Sequence, residues 1–317
     1  MNAGLLATAL LLSAAGSAAA PLPQGKPATA TAPATPAGKP AAPQGQAVPG
    51  TPVTLEGRDK VDDSVPQKYR AEVASAQLEG ARLQQEDFAV WVASGMLVRA
   101  NLRAPGRATG WLAAPKDAMA QTWKVSFTSK AGDRQVVYAD VDVDLTKPPP
   151  KVQLTPQGKG RELTADEKLL VRDRDIVSAG KDWLRCADDY NYSASLRTGK
   201  KGRETVIRAL PALHDQKLYV LGGFHEFTTP EKGGKMRHFA QTNSCIELPL
   251  PKNGIGFMVS HLHSSTPTLF HVFASLSYER PVYVKISGRT WLVDKGLITV
   301  ADKKSVKSLK TEKPAAN

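Results

Sequence analysis

The sequence predicts an α+β protein with two folded parts: a small N-terminal α+β domain over 56–146 and a C-terminal α/β sandwich with a mixed sheet over 151–302. Three observations carry this. Tyr69, Val73, Ala76, Leu83 and Val90 recur at helical spacing among Glu, Gln, Arg and Lys, which predicts an amphipathic helix from Pro66 to about Trp91. Short runs of β-type residues follow, divided by turn residues. After the stiff break Lys147-Pro148-Pro149-Pro150-Lys151, a helix and a new series of strands begin.

Ahead of the domains, an apolar stretch from Leu5 to Leu12 precedes Ser-Ala-Ala-Gly-Ser-Ala-Ala-Ala, the layout of a secretory signal peptide over 1–20. Pro21 moves the favoured cleavage point to Ala18 or Ala19. The stretch is too short for a permanent anchor, and no later segment is apolar enough to span a bilayer. The expected location is therefore periplasmic or secreted, with no transmembrane segment after signal cleavage. Residues 21–55 are rich in Pro and Ala and poor in large apolar side chains, which predicts a disordered linker. The net charge of +12 is spread along the chain, with no arginine-rich block interleaved with aromatics. That argues against nucleic acid and for a solvated surface in an anionic envelope. An envelope protein or a wall polymer is the expected partner.

In the first domain, Gly80 weakens the middle of the helix. Met96 to Leu102, Gly110 to Ala113, Trp123 to Thr128 and Gln135 to Val143 read as strands. Asp140, Asp142 and Asp144 alternate along the last of these. They resemble a cation site in one dimension but lack the glycine and distal glutamate of a calcium loop, so a solvated strand face is the expectation.

In the second domain, Thr164-Ala165-Asp166-Glu167 is a capping box opening a helix to about Trp183. Tyr190 to Leu196 and Glu204 to Leu210 read as strands, and Leu218 to Thr228 with Met236 to Ser244 as a hairpin. Ile255 to Ser260 is a further strand, and 303–317 is a basic tail. Cys186 and Cys245 are the two cysteines. In an exported chain an isolated pair is most simply a disulfide; two buried thiols or two metal ligands are the alternatives.

Three of the six histidines, His261, His263 and His271, fall within eleven positions. His261 and His263 are two apart, so on a strand they share a side, and neutral imidazole is the commonest metal ligand. Pro267-Thr268 reads as a helix start that places His271 in the first turn. Ser265 or Thr268 would supply a hydroxyl near a bound water or oxyanion. Arg280-Pro281 ends that helix, and a hairpin over Val282 to Val293 closes the domain.

The order strand, His-x-His, short loop, hydroxyl, polar ligand, helix and hairpin resembles the JAMM-type metallopeptidase family. The resemblance implies a JAMM-like α/β sandwich around zinc, with His261, His263 and His271 as metal ligands. Thr268 falls at the family's serine and His271 at its aspartate; Glu204 and Glu226 are the candidates for its base. A second resemblance covers Leu221-Gly222-Gly223-Phe224-His225-Glu226-Phe227, Thr242-Asn243-Ser244-Cys245, His261-Leu262, Pro267-Thr268, His271-Val272-Phe273 and Trp291. This pattern is similar to a group of uncharacterised secreted proteobacterial proteins, and it implies no activity. Two functions follow as expectations: a metal-dependent amide hydrolase with Glu226, Glu204 and Thr268 as catalytic residues, or a non-catalytic envelope binding protein with structural histidines.

Overall fold

A helix of thirty residues, α1 (Arg70–Arg99), is the element on which the fold is assembled. The computed structural model describes residues 51–199, 202–212, 218–249, 256–260 and 263–302, all within one compact unit, Pro40–Asn317. The expected signal peptide, most of the linker, the basic tail and His261 lie outside the described residues.

At about 1.5 Å per residue, α1 is about 45 Å long. It begins after a 3-10 turn at Gln67–Tyr69 and continues eight residues beyond the expected end. Met96 to Leu102 is therefore not a strand. Ala93 and Leu97 extend the buried face of Ala89 by about two more turns, which holds the helix together. It stops in a glycine-free Schellman motif. Asn101 is left-handed at φ 48°, Leu102 N–H donates to the Leu97 carbonyl, and Asn101 N–H donates to that of Val98.

The first sheet is an antiparallel meander, β1 (Arg107–Pro115), β2 (Thr122–Ala131), β3 (Arg134–Asp144) and β4 (Lys151–Glu162). The proline break at 147–151 is the turn from β3 into β4, so β4 belongs with the strands before it. The sequence gives little sign of β4, which contains Pro156, Gly158 and Gly160. It lies at a sheet edge, where proline is tolerated because only one side of the strand needs its N–H groups for pairing. The alternating aspartates of β3 are not a simple solvated face. Asp140 is buried and accepts from Ser126, from Gln157 at 2.9 Å and from two Arg161 nitrogens at 2.9 Å. Arg161 continues to Glu167 at 2.7 Å.

That glutamate closes the capping box of α2 (Ala165–Ala179): it accepts from Thr164 N–H at 2.8 Å, and its own N–H donates to Thr164 Oγ1 at 3.2 Å. The second sheet runs β5-β6-β8-β9, all antiparallel: β5 (Tyr190–Gly199), β6 (Gly202–Pro211), β8 (His225–Pro230) and β9 (Arg237–Ala240). The expected hairpin is β8–β9. Leu218–Val220 is instead a separate strand, β7, paired with β10 (Glu247–Pro249). Cys186 and Cys245 form a disulfide, with Cα atoms 5.2 Å apart.

The last sheet is mixed, as expected: β11 (Phe257–Ser260) is parallel to β12 (Val282–Ile286), which continues antiparallel into β13 (Arg289–Asp294) and β14 (Leu297–Val300). A parallel pair needs a crossover, and α3 (Leu269–Ser277) supplies it. One apolar core joins Val125 and Val141 of the first sheet, Ala81 and Ala93 of α1, Val272 of α3 and Trp291 of the last sheet. The fold is thus α+β. Among the described residues no helix is long and apolar enough to cross a membrane.

Glutamines fasten the segment before α1. Gln77 donates to the Arg58 and Lys60 carbonyls and accepts from Ile298 N–H; Gln85 donates to Val53. Residues 51–55, expected in the linker, are tied to the helix in this way.

Glu86, one helical heptad past Glu79, is buried under the second sheet, bonded to Ser193 Oγ at 2.9 Å through one oxygen. Burial pushes its carboxyl up from 4.5 to about 7; Ser193, Arg208 and Arg82 oppose this and Asp87 adds to it. Below pH 4.5 the group is protonated in both folded and unfolded chains. Between 4.5 and about 7 the unfolded chain releases the proton while the folded chain keeps it, so stability falls as pH rises. The loss is then complete, at most about 3 kcal/mol. Glu86→Gln is expected to flatten this slope. Urea unfolding of both proteins at pH 5 and pH 8 checks it, and equal pH dependence would count against the buried acid.

Candidate functional site

The expected site residues separate into two groups. Glu204 and Glu226 lie on β6 and β8 and, by strand alternation, share the sheet face that carries Arg208. Arg208 bonds Glu226 at 2.8 Å and also Glu79 of α1. Arg197 and Arg237 hold Glu204 at 2.9 and 2.6 Å, and Arg197 reaches Glu226 at 4.0 Å. Each carboxylate therefore faces two guanidinium groups.

Thr268 and His271 form the other group. Thr268 is the N-cap of α3, and its N–H donates to His271 Nδ1 at 3.0 Å, with Thr268 Oγ1 also 3.0 Å from that nitrogen. An accepted N–H means that Nδ1 carries its lone pair inward, toward its own helix cap. His271 is buried, whereas His263 is exposed at a bend. The third histidine of the expected zinc set, His261, is outside the described residues. Among the described residues no three His, Cys, Asp or Glu side chains are placed to hold a metal together.

Between the two groups runs an open groove of about 650 Å³. Glu72, Ser75 and Glu79 of α1 form one wall, Phe239 of β9 another, and the 264–269 turn the floor. Ser265 and Thr266 hydroxyls donate to Glu72 at 3.2 and 3.4 Å, and Ser75 donates to Glu79 at 3.2 Å. The arrangement offers carboxylates and hydroxyls beside an aromatic ring. Thr268 lines it, and Glu79 connects it through Arg208 to Glu226. Of this lining, the sequence reading had named Thr268 and Ser265. Glu72 and Glu79 were missed, although their spacing of seven, repeated at Glu86, marks one helix face.

A different pair of histidines meets near the disulfide. His225, fully buried, points Nε2 at the Leu184 carbonyl, 2.7 Å away, and Nδ1 at His238 Nε2, 3.0 Å away. Burial holds His225 neutral, lowering it from 6.5 to about 4. Trp183 packs edge-on to it at 4.8 Å.

Comparison of the chain with protein-family models, with curated proteins and with solved structures returns no match.

Proposed function

We propose that this chain is an exported envelope protein that binds rather than cleaves, and that a wall polymer bearing both charges occupies the groove of α1, β9 and the 264–269 turn. The observation that supports this reading is the groove's lining. Glu72 suits an ammonium group, Glu79 being already paired with Arg208; the Ser264, Ser265 and Thr266 hydroxyls suit polar polymer groups, and Phe239 offers an apolar face. The chain as a whole is strongly cationic at +12, which suits the anionic groups of the same polymer. The disulfide accords with an oxidising compartment. A hydrolase needs a base with an open oxygen near the reacting proton. Glu204 and Glu226 are instead turned to arginines, and His271 Nδ1 to its own helix cap.

Titrating the tag-free protein with soluble wall fragments, with chromatography of the products, tests this. Saturable binding without new products is expected, and Glu72→Ala should weaken it at least about tenfold, or roughly 1.4 kcal/mol. Zinc-dependent cleavage, or unchanged affinity in Glu72→Ala, would overturn the reading.

A further inference from the structure

His225 and His238 stand on adjacent strands, with Phe227 opposite His238 in the register. A carbonyl only accepts, so the 2.7 Å contact to Leu184 fixes the proton of His225 on Nε2 and leaves the Nδ1 lone pair directed at His238. Each ring packs against an aromatic neighbour. His238 stacks on Phe227 with centroids 4.4 Å apart and planes 3° apart, and Trp183 abuts His225.

We propose that His225 Nδ1 and His238 Nε2 form a two-histidine seat for a divalent transition-metal ion of the copper or zinc class. Nitrogens about 2.0–2.1 Å from an ion lie about 2.9 Å apart at a right angle and about 3.3 Å apart in a tetrahedron. The observed 3.0 Å falls between these; it is a direct hydrogen bond in the free protein, so the exposed His238 ring tilts off that axis for both lone pairs to meet on one ion. A ligating histidine ordinarily donates its other N–H to a carbonyl or carboxylate, as His225 does to Leu184. His238 is exposed, so an ion reaches the pair from solvent. The remaining positions fall to water, since no third His, Cys, Asp or Glu side chain among the described residues joins the pair. When the ion binds, His238 shifts from the Nε2–H to the Nδ1–H tautomer and frees its lone pair. Neither His225 nor His238 lines the groove.

The test is calorimetric titration of the tag-free, metal-stripped full chain with Cu²⁺ and with Zn²⁺, with electron paramagnetic resonance of the copper form. One ion per chain and nitrogen hyperfine splitting are expected. His238→Gln keeps an N–H that can still donate to His225 but cannot ligate well, so the fold should persist by circular dichroism while affinity falls at least tenfold. His263→Gln should leave binding unchanged. Absence of binding by the wild type, equal affinity in His238→Gln, or loss in His263→Gln would overturn the proposal.

Discussion

Gly80→Val is expected to lower stability by about 3 kcal/mol, read as a shift of the urea midpoint at constant slope. At Gly80, α1 and α3 cross with almost no gap. A Cβ there would lie 2.5 Å from Val272 Cβ and 2.6 Å from the Leu269 carbonyl oxygen. Two effects compete in the milder Gly80→Ala. Helix propensity favours alanine by about 1 kcal/mol. The contact opposes it, and one contacting atom is backbone of the first turn of α3, which cannot rotate away. Alanine should therefore be net destabilising and valine more so. A neutral or stabilised Gly80→Ala would mean that the crossing relaxes freely.

Cys186→Ser with Cys245→Ser is expected to cost about 4 kcal/mol in the chain-entropy treatment, for a sequence separation of 59. In a chain of this size that lowers the melting temperature by about 10 °C. The loss should exceed loop entropy alone in its local effects, because the bridge is seated closely. A Cβ at Gly222 would be 2.5 Å from the Ser244 carbonyl oxygen and from Ile246 N, and one at Gly223, where φ is +79°, 2.7 Å from Cys186 Cβ. Arg185, next to the bridge, lies over Trp183 at 4.4 Å. Trp183 fluorescence should change in the variant and in wild type treated with reductant. A melt insensitive to both treatments would show that packing alone holds this end.

The elements legible in the sequence were those whose signal is local. The Thr164–Glu167 capping box, the alternating strand Gln135 to Val143 and the hairpin around Ser287-Gly288 depend on neighbours within a few positions, and each stands in the structure. What was misread depends on distant partners. Gly80 looked like a flaw in a helix because its reason, Val272, is nearly two hundred residues away. β4 was hidden because Pro156, Gly158 and Gly160 suit an edge strand, and an edge is not visible locally. Asp140 looked solvated until Arg161 and Glu167 closed over it.

The site shows the same division. The N-cap at Thr268 was readable, with His271 in the first turn of α3, but the direction of Nδ1 toward the cap was not. Crowding in sequence draws attention to His261, His263 and His271, whereas His225 and His238, which meet at 3.0 Å, are thirteen residues apart across a hairpin. Glu204 and Glu226 fall in expected strands, but the pairing of those strands and the arginine partners from β5, β6 and β9 are set by distant residues.

The central claim is that the groove recognises and does not react. Hydrogen exchange of the full chain with and without soluble wall fragments tests it most directly. The expected result is slowed exchange confined to 71–79 and 263–269 with the fragments recovered intact. Protection elsewhere with these two segments unchanged, or fragments recovered as cleaved products, would contradict it.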